Sequence, residues 1–126
     1  MSEKPSVSRD PRLYLEDMRD CCRKVLRYAE GMTIEQLVAD EKTFDAVMRN
    51  LEITGEAARQ VSAEIKTRYP EVEWRSIAGF RDVAIHAYPT IDEEIVWDIV
   101  KRKVPGLLQQ VEHILASDFP GDERSS

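Results

Sequence analysis

Two cysteines occur in the 126 residues, and they are neighbours, Cys21 and Cys22. Adjacent cysteines rarely bridge each other in regular structure, so no disulfide framework is expected. With no histidine cluster beside them they make no thiolate zinc site either, and they read as two small side chains on a helix. Histidine is scarce as well: His86 and His113 are all there is, and neither sits in an H-E-x-x-H pair or in the Glu-x-x-His pair of a helical di-metal site. No metal and no cofactor are expected. The five glycines build no phosphate-cradling loop and no G-x-S-x-G elbow. No apolar run approaches the roughly 18 residues of a membrane span, and the opening MSEKPSVSRDP lacks an apolar leader core, so a cytoplasmic protein without a membrane partner is expected. Positive charge is not in excess either. A net charge of −6 argues against binding of duplexes by counterion release, while leaving room for a local basic cleft.

What is present is a helical pattern from end to end. Leu15, Met18, Cys22, Val25, Leu26 and Ala29 keep the three-four spacing of one helix face. Asp10 and Pro11 suit its N-cap and first turn, and Gly31 its end. Thr33 and Gln36 have the spacing of a capping box. Phe44, Val47, Met48, Leu51, Thr54, Ala58 and Val61 form a long stripe that runs on toward Tyr69 and stops at Pro70. Gly55 within it costs about 1 kcal/mol relative to Ala, which suggests the close approach of another helix. Residues 71–79 read as a turn and a short helix, residues 80–88 as a further helix. Asp92 caps the last one, in which Pro105 should force a kink or a split near residue 104. No segment alternates as a strand would. The expected architecture is an all-α, four- to five-helix up-and-down bundle over residues 10–117, with flexible ends at 1–9 and 118–126.

The segment Arg81-Asp82-Val83-Ala84-Ile85-His86-Ala87-Tyr88 stands apart, because it gathers a permanent cation, a carboxylate, an imidazole and a phenol in eight residues. Asp82 and His86 are four apart and share a helix face, so the carboxylate can orient the ring. An imidazole that titrates near neutrality beside a phosphate-binding arginine is what acid–base cleavage of a phosphodiester needs. The plain alternative is surface charge with a histidine favoured by the helix dipole. Two further features carry the same choice. Arg19, Arg23 and Arg27 either line an RNA groove or form a solvated row paired with Glu16, Asp20 and Glu30. The acidic stretch from Glu35 to Glu56 reads as a solvated face.

Arg81, His86 and Tyr88, read as R-x-x-x-x-H-x-Y, resemble the signature of HepT-like proteins of the HEPN superfamily. The surroundings agree in order: Gly55-Glu56-Ala57-Ala58, Tyr69-Pro70, Trp74-Arg75-Ser76-Ile77, Ile95-Val96-Trp97 and Val104-Pro105. The resemblance covers roughly residues 10–116 and implies a dimeric HEPN-like bundle. It implies a toxin of a two-gene toxin–antitoxin module, a metal-independent endoribonuclease acting on RNA including tRNA. Its implied partner is a small nucleotidyltransferase antitoxin of the MntA type, which adds AMP to the motif tyrosine. On that resemblance Arg81 and His86 would be catalytic, Asp82 the supporting polar residue and Tyr88 the AMP acceptor. One motif supplies one imidazole, and a homodimer facing two copies of His86 across a groove would supply both acid and base. His113, apolar-flanked near the chain end, reads as non-catalytic. The competing reading is a non-catalytic HEPN module that binds a nucleotide or docks onto a nucleotidyltransferase.

Overall fold

The computed structural model describes residues 10–86 and 92–121, and of residues 84–86 the backbone alone. Every regular element among the described residues is helical, so the protein is an all-α bundle. The first helix, α1 (Pro11–Ala29), starts where Asp10 accepts a hydrogen bond from the Arg12 amide and ends as Gly31 turns at φ +76°, a conformation that favours glycine. Then α2 (Ile34–Ala39) begins on the expected capping box: the Gln36 amide donates to the Thr33 hydroxyl and the Thr33 amide to the Gln36 side chain.

The long stripe that begins at Phe44 does not run unbroken to Pro70. It forms α3 (Glu41–Gln60), is interrupted at Val61, whose backbone is extended, and resumes as α4 (Ala63–Arg68). The break is local chemistry: the Ser62 hydroxyl accepts from the Ile65 amide and starts a new helix. Two short helices follow, α5 (Trp74–Ala78) and α6 (Phe80–His86). The C-terminal run opens on Asp92, which caps α7 (Glu93–Asp98). It widens into one π-helical turn at Ile99–Lys103 and continues as α8 (Val104–Asp118) with Pro105 in its first turn. The wide turn accommodates the proline ring, which would otherwise collide with the carbonyl one turn back.

The core lies between α1, α3 and the C-terminal run. Leu15, Met18, Cys22, Val25, Val47, Leu51, Ala58, Val96, Val100, Val104, Val111 and Ile114 are all buried. Each fully buried aliphatic side chain of this kind is worth about 1.5–3 kcal/mol over its exposed state. Both cysteines are free and buried, and burial pushes the Cys22 thiol up to about 12. Trp74, Ile77 and Phe80 close the end of the core at which α5 and α6 cross α3. No helix among the described residues is long and apolar enough to cross a membrane.

Candidate active site

The crossing of α6 over α3 is made possible by one residue. A Cβ on Gly55 would come within 2.6 Å of the Arg81 amide nitrogen and 3.0 Å of the Ala78 carbonyl oxygen. Glycine therefore lets the start of α6 lie directly on α3, and the helix cost of Gly55 finds its reason there. The residue after it, Glu56, meets the arginine brought in by that crossing: Arg81 Nε lies 3.2 Å from Glu56 Oε1. The guanidinium also lies 3.8 Å from Asp82 Oδ1 and is about one-third exposed.

Arg81 and Glu56 open on a cleft of about 500 Å³ between α1, α3 and α6. Tyr14 and Asp17 of α1 form one side, and Arg49, Glu52, Arg59 and Gln60 of α3 the floor. The floor is laced with charge: Arg49 lies 3.6 Å from Glu52, Arg59 lies 3.7 Å from Glu56, and Gln60 donates to Glu56 Oε2 at 3.2 Å. An open cleft lined by guanidinium groups that are paired but solvent-accessible can exchange those partners for phosphate oxygens.

Of the residues expected from sequence, Arg81 thus stands at a cleft and Asp82 is exposed beside it. His86 is the last described residue of α6, so Asp82 and His86 share one helix, four residues apart; its side chain lies outside the described structure. Tyr88 lies outside the described residues altogether. Sequence reasoning missed Glu56, which it placed on a solvated face. Its signal was its position next to Gly55, the one glycine within a long apolar stripe.

The arginine row of α1 meets the paired expectation in part, at Arg19 and Asp20. Arg19 is buried, with Nε 3.0 Å from Asp20 and its Nη1 without a hydrogen-bond partner. Arg23 reaches Glu112 of α8 at 2.8 Å, and Arg27 lies over the Tyr28 ring at 5.3 Å. None of the three lines the cleft that holds Arg81. His113 belongs to a corner of its own, edge-on to the Tyr69 ring at 6.1 Å. Among the described residues no cluster of His, Cys, Asp or Glu has the make-up of a metal site.

An all-α bundle with its motif arginine at an open, arginine-lined cleft is a HEPN-type architecture with a site suited to a phosphate-bearing ligand. The chain belongs to the HepT-like ribonuclease family, whose model, described as Ribonuclease HepT-like, matches residues 18–114. Among its relatives, the protein named "Putative RNase MJ0127" of Methanocaldococcus jannaschii is 36% identical over 94% of this chain and 97% of its own length. "Putative RNase TTE0752" of Caldanaerobacter subterraneus is 34% identical over 86% of this chain and 96% of its own. "Probable ribonuclease HepT" of Thermococcus cleftensis is also 34% identical, over 86% of this chain and 98% of its own. No solved structure matches the chain.

Proposed function

We propose that this protein is the toxin of a toxin–antitoxin module, a metal-independent endoribonuclease that cleaves RNA, tRNA included, through Arg81 and His86. The observation that carries the reading is Arg81, the motif arginine of a HepT-like ribonuclease, standing at the edge of an open cleft with Glu56 as an exchangeable partner. With no metal to activate water, the nucleophile is the RNA's own 2′-hydroxyl, which confines the reaction to RNA. Arg81 stabilises the charge that builds on phosphorus-bound oxygens, and His86 moves a proton. Asp82, one turn before His86 in the same helix, orients the imidazole. The active form is a homodimer with the motif at a shared groove.

The off-switch in this proposal is Tyr88, two residues past His86. An MntA-type nucleotidyltransferase transfers AMP from ATP to the phenol oxygen and releases pyrophosphate. The added bulk and negative charge beside the phosphate site then repel RNA. A second reading, a non-catalytic module that docks onto the nucleotidyltransferase, draws its support from the net charge of −6, unfavourable for a polyanion.

The two are separated by incubating bulk tRNA in EDTA with the purified chain and with its His86→Ala variant. Fragments made only by the unmodified wild type support the ribonuclease. Intact RNA in both lanes, with Tyr88 free of AMP by intact mass, leaves the docking module standing.

A further inference from the structure

Cleavage by an internal 2′-hydroxyl needs one group to accept a proton and another to donate one. The motif has a single imidazole, and His113 faces Tyr69 in a different cavity. We propose that Glu56 is the missing general base, supplied by the same chain from α3. The inference rests on the ribonuclease reading and replaces the second copy of His86 as the source of the base.

Three features of the cleft carry it. Glu56 is the carboxylate joined to Arg81, 3.2 Å from Nε, and it is half exposed, within reach of a substrate entering the cleft. A guanidinium has five donors, so Arg81 can hold Glu56 on Nε and turn Nη1 from its looser contact with the exposed Asp82, 3.8 Å away, to a phosphate. Phosphate and carboxylate then share one arginine, and the ribose 2′-hydroxyl next to that phosphate comes into reach of Oε1 or Oε2.

The second feature is charge. A carboxylate beside a phosphodiester is repelled unless cations offset it. Here Arg81 and Arg59 lie 3.2 and 3.7 Å from Glu56, while Arg49 on the same floor is paired with Glu52 and Asp17 stands on the facing side. Gln60 donates to Oε2 at 3.2 Å, which fixes the plane of the carboxylate and leaves lone pairs for a hydroxyl proton. Third, the pair is positioned by backbone. The contact at Gly55 locks the Arg81 main chain onto α3 one residue before Glu56, so the backbones from which base and phosphate binder extend keep their spacing. His86 follows Arg81 by five residues in α6, roughly 7.5 Å along the helix axis. Base and acid are carried by different helices, α3 and α6.

The step balances. Glu56 takes the 2′-hydroxyl proton as the 2′-oxygen bonds to phosphorus. The bond from phosphorus to the 5′-oxygen breaks, and that oxygen takes a proton from the His86 imidazolium. The products are a 2′,3′-cyclic phosphate and a 5′-hydroxyl, with the proton returned from Glu56 to His86 through solvent.

The test compares wild type, Glu56→Gln and His86→Ala on a short RNA in EDTA between about pH 4 and 9, with binding of the 2′-O-methyl form of that RNA as a second readout. Glutamine keeps the size and can still accept from Arg81, but cannot take the proton. The expected result is a rate loss of roughly 10²–10⁴-fold for Glu56→Gln with binding that is unchanged or tighter. A variant within about threefold of wild type overturns the base and returns the role to a second imidazole. Loss of rate and binding together also overturns it, since a residue that only positions Arg81 would behave so. Absence of cleavage by the wild type instead defeats the ribonuclease reading, and the base with it.

Discussion

Arg23, Arg68 and Arg81 each pair with a carboxylate far away in the chain, and the last two differ in what surrounds the pair. Arg68 at the end of α4 pairs with Asp118 at the end of α8, and Asp118 is nearly covered. The Tyr69 hydroxyl donates to the same carboxylate at 2.6 Å, while the Tyr69 carbonyl accepts from Trp74 Nε1 at 3.0 Å. Asp118 and the Tyr69 hydroxyl hold each other there, and the half-exposed Arg68 also reaches Glu64, so the corner ties the last helix to the α4–α5 turn. Arg81 and Glu56 leave their second edges facing a cleft. Tyr69 and Trp74 therefore hold the fold together, while Arg81 stands at the edge of the cleft. The lesson is that an ion pair's role follows from what surrounds it rather than from its distance.

The comparison can be broken most sharply at the open pair. Arg81→Ala should lower RNA cleavage by roughly 10²–10³-fold with an unchanged melting midpoint, measured as initial rate and thermal denaturation side by side. A large fall in the midpoint would place Arg81 with Arg68 as a structural clasp.

Gly55→Val joins the two effects. Its branched side chain has to occupy the space of the Arg81 backbone nitrogen, which lies 2.6 Å from the Cβ position, so the α3–α6 crossing must open. Urea denaturation should show a loss of about 1–3 kcal/mol, and cleavage should fall with it because Arg81 moves. Stability unchanged would mean that the crossing is looser than the geometry requires.

The closed pair makes a pH prediction. The hydrogen bond from Tyr69, and then Arg68, hold the Asp118 carboxyl below its usual range. A depressed folded value stabilises the protein above the unfolded carboxyl value of roughly 3.9, and that contribution is lost as the pH falls through the folded value. Thermal midpoints of wild type and Asp118→Asn should therefore differ at neutral pH and converge in acid below roughly pH 3.9. A constant difference across that range would show that Asp118 acts through packing. Cleavage at neutral pH should be the same in both.

The smallest effect is expected on α1. Arg23→Ala removes an exposed ion pair with Glu112 and should change stability by about 0–1 kcal/mol, with RNA cleavage unaltered. A clear loss of RNA binding would restore the α1 row as part of the groove.

Much of this was legible in the residues. The caps at Asp10, Thr33 and Asp92 and the disturbance before Pro105 follow from local hydrogen-bonding chemistry, which a short stretch of chain contains in full. The stop at Val61 was missed because an apolar stripe continues across it, while Ser62 competes for the backbone at close range. Arg81 was legible as a motif, and Gly55 as a place of close approach, yet nothing in their spacing of 26 positions says that they touch. The sequence by itself determined an all-helical fold, its caps and its core stripes, because propensity and periodicity act over a few residues, and its motifs carried the likeness to the family. Only the tertiary structure decided that α6 crosses α3 at Gly55, that Glu56 rather than the α1 arginines meets Arg81, and that Arg68 and Asp118 close on each other. Those pairings join residues far apart in the chain, and which ones meet is settled by how the helices pack.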